Sequence, residues 1–321
     1  MTNNFPPKVD NPVWRRVAGS GLTLGLMTPA PMPQRVPAEL REQQLIAQTA
    51  EIAGFTALWC RDVPLMIPQE GNVSALEDPF LWLAMLAAAT NSIAVGTAAA
   101  VLPLRDPLHL AKSALSLNRL SGGRFILGLG SGDRPDEFAA FGREVQHSAE
   151  IYRQKWDLVR QAMDPAQRAA VRGRTGGFDI HAAQEAAVPM IVVGTSRQSL
   201  QWIAANADGW ASYHREEERQ QGRIGLWQQA LAQRSEGAKP FIQSLNLDLE
   251  EDPDAAPVPI TLGMRTGRNA LKAYLQRLQE LGVAHVIINL APGGRPPVEV
   301  IRELGLYVID ETVQGPHHAH P

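Results

Sequence analysis

The chain has 321 residues, of which 45% are hydrophobic and 20% charged, with a formal charge of -3 and a pI of ≈ 6.3. That balance suits a globular protein with a large core and gives no electrostatic reason to expect nucleic acid or an anionic membrane as partner. A single cysteine, Cys60, excludes an intramolecular disulfide or a thiolate-clustered metal site and points to a reducing cytoplasm; the leading residues lack the basic-then-apolar order of a signal peptide, and the apolar run Leu81 to Ala89 is about half the ~20 residues a membrane span needs.

Strand-like and helix-like segments alternate along the chain. Gly21 to Met27 reads as a first strand, closed off by the proline-rich Thr28 to Pro37. A helix opens at Pro37-Ala38-Glu39, runs to about Ala53, stops at Gly54 and hands over to a second strand, Phe55 to Trp59. After a long polar loop, Cys60 to Asp78, the pair Asp78-Pro79 caps a helix through Thr90, and Ile93 to Ala99 reads as strand three. Asp106-Pro107 caps the next helix, whose Leu110, Ala114, Leu117 and Leu120 share one face. Strand four is Phe125 to Leu129, an apolar run that empties into Gly128, Gly130 and Gly132.

A short insert at Glu137 to Phe141 precedes a helix over Ala149 to Met163, while Asp164 to Val188 carries no clear pattern. Pro189 to Val193 is strand five, Arg197 to Ala205 a helix, Asp208 to Ser212 strand six and Glu216 to Arg234 a long polar helix. Phe241 to Leu249 is strand seven, followed by an acidic, proline-rich insertion at Asp252 to Pro259. Asn269 to Leu281 is an amphipathic helix stopped by Gly282, Ala284 to Leu290 is strand eight, and Pro297 to Leu304 a last helix.

Eight strands alternating with eight helices, with no linker-like break, predict a (β/α)8 TIM barrel with insertions, spanning residues 19–310 between an N-terminal tail (1–18) and a C-terminal tail (311–321). His317, His318 and His320 fall in that second tail; short His-rich tracts can bind metal, but no partner ligand is suggested nearby and no metal site is assigned.

Barrel enzymes place their chemistry at the carboxyl ends of the strands. There, Gly194-Thr195-Ser196 ahead of a helix offers hydroxyls, backbone N–H groups and a helix N-terminus, which together suit a phosphate; ordinary N-capping by Ser196 is the other reading. Gly128-Leu129-Gly130-Ser131-Gly132 fails as a dinucleotide fingerprint, because Asp133 stands where the third glycine belongs and Pro135 follows. No Walker loop, metalloprotease helix or serine-hydrolase elbow is present.

Read in order, Val95 to Pro107, Leu120 to Phe125 with Gly128 to Gly132, Glu137-Phe138 with Phe141-Gly142, and Gly194-Thr195-Ser196 with Ala207 to Trp210 resemble the bacterial luciferase-like, flavin-dependent monooxygenases. The resemblance covers about Leu22 to Leu290 and implies a luciferase-like barrel. It also implies a non-proline cis peptide at Ala98-Ala99 or the next bond, lying under the flavin ring. Phosphate ligands would be Thr195, Ser196 and Ser199, with Ser131 or Arg153 as neighbours, and Gly130 and Gly194 would pass close to the cofactor. The implied activity is two-component: reduced FMN from a transient flavin reductase reacts with O2 to a peroxyflavin that oxidises a small organic substrate. Relatives are commonly dimers, so a homodimer is implied too.

One departure weakens a luciferase-type base. Many relatives carry a histidine pair after strand two, whereas this chain reads Trp59-Cys60-Arg61-Asp62. Arg61 and Asp62 are then the charged residues nearest the reactive edge, as catalytic groups or as a structural ion pair, with Cys60 read as a buried thiol. Tyr152, Tyr213 and His214 are candidate donors near the ring. A deazaflavin coenzyme with hydride transfer, and a flavin-binding protein without catalysis, are the alternative readings.

Overall fold

In a computed structural model, the protein is described at residues 11–19, 21–30, 40–65, 77–180, 187–234 and 237–309. The opening of the helix expected at Pro37, most of the loop 61–77 and the histidine-bearing tail lie outside the described residues.

Eight parallel strand positions close on themselves. In chain order the walls are β1 (Thr23–Thr28), β2 (Ala57–Cys60), β3 (Ala94–Thr97) continued by β4 (Ala100–Val101), β5 (Phe125–Gly130), β6 (Met190–Val193), β7 (Gly209–Tyr213), β8 (Phe241–Leu249) and, after an excursion, β11 (Val283–Asn289). Each pairs in parallel with the next, and β11 pairs with both β8 and β1, which closes the barrel. Between them run α2 (Leu40–Ile52), α3 (Pro79–Ala89), α4 (Pro107–Leu120), α6 (Ser148–Met163), α8 (Leu200–Asn206), α9 (Glu217–Gln233), α10 (Arg268–Leu281) and α11 (Pro297–Leu304), with short α5 (Pro135–Ala140) and α7 (Arg168–Arg174) as inserts.

Local chemistry explains where several helices start. The Asp78 and Asp106 carboxylates accept hydrogen bonds from the first free amides of α3 and α4, with proline at the first helical position of each. On α4 the apolar face buries Leu110, Ala114 and Leu117, but Leu120, expected on that face, is 73% exposed.

The sequence between β8 and α10 holds structure that its composition does not show. A hairpin of β9 (Val258–Ile260) and β10 (Gly263–Thr266) folds there, and β10 adds in parallel to the upper half of β8. A Cβ on Gly263 would sit 1.8 Å from the Asn246 carbonyl, so the close approach needs glycine.

A second departure concerns the N-terminus. Pro12–Val17, within the expected tail, is helix α1 (Pro12–Val17), and Val13, Trp14 and Val17 are buried in the same cluster as Trp59, Ile126, Ile191 and Ile287 inside the barrel. The Asn11 amide ties it down, donating to the Gly123 and Ala187 carbonyls at 3.0 and 3.1 Å.

Above that plug, Trp59 spans the interior. Its Nε1 donates to His285 Nε2 at 2.9 Å, so the other ring nitrogen carries the proton and donates to Thr23 Oγ1 at 2.8 Å. Gly25 and Gly96 make room for the indole: a Cβ on either would come within 2.6 Å of it. The ring thus fills what would be an open barrel centre.

Candidate functional site

The Trp59 layer seals the barrel from below, and the strands open above it at their carboxyl ends. Between the ends of β3 and β5 the pairing skips. Gly96 faces Ile126 and Ala100 faces Leu129, so three residues, 97 to 99, oppose two, 127 and 128. This is a bulge, and the Ala98–Ala99 peptide within it is cis. The Thr97 hydroxyl restores the interrupted ladder, donating to the Gly128 carbonyl at 2.7 Å and accepting from the Gly128 amide at 2.9 Å. Gly128 is obligatory here, since a Cβ would lie 1.9 Å from the Thr97 oxygen.

The bulge forms one wall of a cavity of about 340 Å³, lined by Ala98, Ala99, Gly130 and Val193, by Arg61 to Val63, by Ser131 to Arg134, and by Thr195 to Arg197 and Tyr213. Its first four residues present nothing bulkier than valine, which leaves a seat for a planar ring. Charged groups gather at the rim, and most are already matched.

Asp62 is spoken for. Its carboxylate accepts from Arg105 Nε and Nη2 at 2.7 and 2.8 Å and from the Val101 amide at 2.9 Å. Burial alone would lower the Arg105 guanidinium, but hydrogen bonds and charge from Asp62 and Asp78 outweigh it and push it above its usual range. Asp62 therefore clamps β4 to the loop through a partner 43 residues away and is not the partner of Arg61. Arg61 is exposed and opens onto the cavity. Glu137, buried beside Arg134 at 2.9 Å, is raised above the ordinary carboxyl range by burial, which outweighs Arg134, with help from Asp62 and Asp133.

At the other end lies the turn after β6. Gly194, Ser196 and Arg197 have φ of 68°, 46° and 58°, and α8 starts only at Leu200, three residues later than the sequence suggests. Ser199, not Ser196, is the N-cap, accepting from Trp202 N at 3.2 Å, and it does not line the cavity. Among the described residues no acceptor takes the Thr195, Ser196 or Arg197 amides. A run of outward N–H groups of this kind is an anion-binding concavity.

The left-handed turn points the Ser196 side chain inward. Its hydroxyl donates to the Val193 carbonyl at 3.0 Å, so the exposed Thr195 hydroxyl and the three amides are the donors that face outward. Arg153, an expected phosphate neighbour, is outside the cavity lining and donates its Nε to Gln198. Tyr152 is buried, with its hydroxyl on the Leu129 carbonyl at 3.0 Å, and His214 bonds to Tyr274 at 3.0 Å; neither lines the cavity. Tyr213 does line it, its phenol raised by burial and by Asp133. Cys60 is buried and its thiol is pushed up to about 12 by burial and the Asp62 charge, so it is not a nucleophile at neutral pH.

Sequence reasoning missed Thr97, Arg134 and Val193. Glu137 had a signal in the motif Glu137-Phe138, but its ion pair with Arg134 did not.

Comparison with known proteins accords with this geometry. The profile described as luciferase-like monooxygenase matches residues 22–283. An alkanal monooxygenase alpha chain from a Kryptophanaron alfredi symbiont is 25% identical over 170 residues, covering 50% of this chain and 44% of its own. An F420-dependent hydroxymycolic acid dehydrogenase of Mycobacterium tuberculosis is 30% identical over 194 residues, 56% of this chain and 51% of its own. The chain thus spans about half the length of these curated relatives. Among solved structures, monooxygenase RslO1 from Streptomyces bottropensis superposes with a TM-score of 0.69 at 17% identity, covering 90% of this chain and 99% of its own. An F420-dependent secondary alcohol dehydrogenase superposes at 0.71 with 13% identity, covering 91% and 99%. At those identities the likeness speaks to fold.

Proposed function

The chain belongs to the luciferase-like monooxygenase family, and we propose that it acts there as an FMN-dependent monooxygenase on a small organic substrate, with reduced FMN supplied by a separate flavin reductase. The observation that carries this reading is the pairing, in one cavity, of a small apolar wall (Ala98, Ala99, Gly130, Val193) with three amides, at Thr195, Ser196 and Arg197, that have no acceptor among the described residues. A ring and a phosphate joined by a short polar chain fit such a site, and when bound the flavin supplies the redox chemistry.

The residues of the chain bind, orient and exclude water. The turn amides and the Thr195 hydroxyl would hold the phosphate end. Thr97 and Asp62 fix the small apolar wall, one from each side of the bulge, and would give a ring a firm seat. Trp59, buried across the barrel centre, closes the floor of the site and would exclude water from below. Arg61, which does not pair with Asp62, is a charge that a substrate at the rim would meet.

A second reading, hydride transfer with a deazaflavin coenzyme, draws support from the 30% identical dehydrogenase. Titrating the purified protein with FMN and with the deazaflavin coenzyme, then measuring oxygen uptake and product with externally reduced FMN over sulfonates, alkanes and aldehydes, separates the two. Tight FMN binding and an oxygenated product are expected. Selective binding of the deazaflavin coenzyme, with its reduction by an alcohol, would replace the first reading with the second. Tight FMN binding without product from any substrate would point to a flavin-binding protein without catalysis.

A further inference from the structure

The turn after β6 exposes three consecutive amides, and what holds them outward can be traced carbonyl by carbonyl. In a trans peptide the C=O and the following N–H point in opposite directions, so fixing one aims the other. The Gly194 carbonyl accepts from Trp210 Nε1 at 2.7 Å, which turns the Thr195 N–H away. The Thr195 carbonyl accepts from the Gln198 amide at 2.8 Å, which turns the Ser196 N–H away. The Ser196 carbonyl accepts from Gln198 Nε2 at 3.0 Å, which turns the Arg197 N–H away.

Two of those three anchors come from one residue. Gln198 is 7% exposed, and the rest of its side chain is committed to α6: Nε2 also donates to the Ala149 carbonyl at 3.0 Å, and Oε1 accepts from Arg153 Nε. The amide therefore bolts the turn to α6 and holds the Arg153 guanidinium beside it. Among the described residues, the terminal nitrogens of Arg153 meet no acceptor, although the side chain is fixed at Nε.

We propose that Gln198 is the positioning residue of the anion-binding turn, aiming its amides at the phosphate. The proposal rests on the flavin-phosphate reading above. It assigns Gln198 no contact with the ligand; it acts through Ser196 and Arg197.

The test uses two ligand pairs that differ by a phosphate: FMN against riboflavin, and the deazaflavin coenzyme against its phosphate-free chromophore. Dissociation constants are measured by fluorescence for the wild-type chain, Gln198→Leu and Gln198→Glu, with unfolding midpoints alongside. The wild type is expected to prefer the phosphorylated member of at least one pair. Gln198→Leu should cut that preference by about tenfold, the scale of charge-assisted hydrogen bonds lost together, and leave the phosphate-free partner unchanged. Gln198→Glu keeps the backbone N–H on Thr195 and an acceptor for Arg153 but loses the two Nε2 donations, to Ser196 and Ala149, so it should fall by a similar factor even if the leucine variant does not fold. A folded variant that keeps the wild-type preference overturns the proposal while leaving the phosphate site intact. A wild type with no preference in either pair removes the phosphate reading and the proposal with it, and is told apart because it appears before any substitution.

Discussion

His285 makes acid stability a direct probe of the barrel interior. The imidazole is fully buried between Trp59 and Thr23, and burial holds its pKa down, from an ordinary 6.5 to about 3. The folded value lies below the unfolded one, so the stabilisation from a neutral ring is complete above pH 6.5 and is lost as pH falls toward 3. Linkage between those two values gives a loss of about 2 kcal/mol between pH 8 and pH 5, with a ceiling of about 5 kcal/mol at lower pH. Urea unfolding followed by tryptophan fluorescence at several pH values in that window measures it, with His285→Gln as the reference. Glutamine offers an acceptor to Trp59 Nε1 and does not titrate. Glu51 and Glu303, whose carboxyls lie below their usual range because hydrogen bonds outweigh burial, titrate alike in both proteins and cancel in the difference. The wild type should lose about 2 kcal/mol more than the variant. Parallel pH profiles would refute the reasoning, since they would mean that His285 accepts its proton without leaving the fold.

Two substitutions test other parts of the frame. Thr97→Val leaves the Gly128 amide and carbonyl unpaired in a buried position and should cost about 2–4 kcal/mol in unfolding free energy, whereas Thr97→Ser should cost under about 1 kcal/mol. An equal cost for both would show that the methyl, not the hydroxyl, matters. Arg124 caps the end of α3 and the start of β3 by donating to the carbonyls of Ala87, Thr90 and Ile93, with its Nε on Ser121. Lysine cannot reach several acceptors at once, so Arg124→Lys should lower stability by about 2–4 kcal/mol in the same assay; a change under about 0.5 kcal/mol would deny the capping role.

The barrel was legible because its signals are local. Asp78-Pro79 and Asp106-Pro107 announce helix starts within four residues, and Phe125 to Leu129 is apolar throughout because both faces are covered. The same locality misplaced the start of α8: Ser196 and Ser199 both have capping chemistry, and only the left-handed turn shows which one caps. Val258–Ile260 passed as part of an insertion because a three-residue strand containing proline has no period of its own and exists by pairing with β10. In the site, Gly194 to Ser196 could be read from hydroxyls and glycine beside a strand end. The partner of Asp62 could not, because Arg105 lies on a different connection; nor could the role of Gln198, whose three side-chain bonds join segments far apart in the chain.

The plug at the barrel's base bears on how the molecule is assembled. Asn11 is bound to carbonyls 112 and 176 residues downstream, and the Trp14 and Val17 side chains are buried in a cluster with residues of the barrel strands. On a ribosome α1 emerges before the strands that receive it, and the lip that takes Asn11 is incomplete until the chain has passed Ala187. Its apolar face must wait, and a nascent chain halted before Ala187 carries Trp14 uncovered, a surface for chaperones or for its own neighbours. Closure of β11 onto β1 then joins the two ends of the barrel in one late step, so a helix made before all of these strands is among the last elements to find its place.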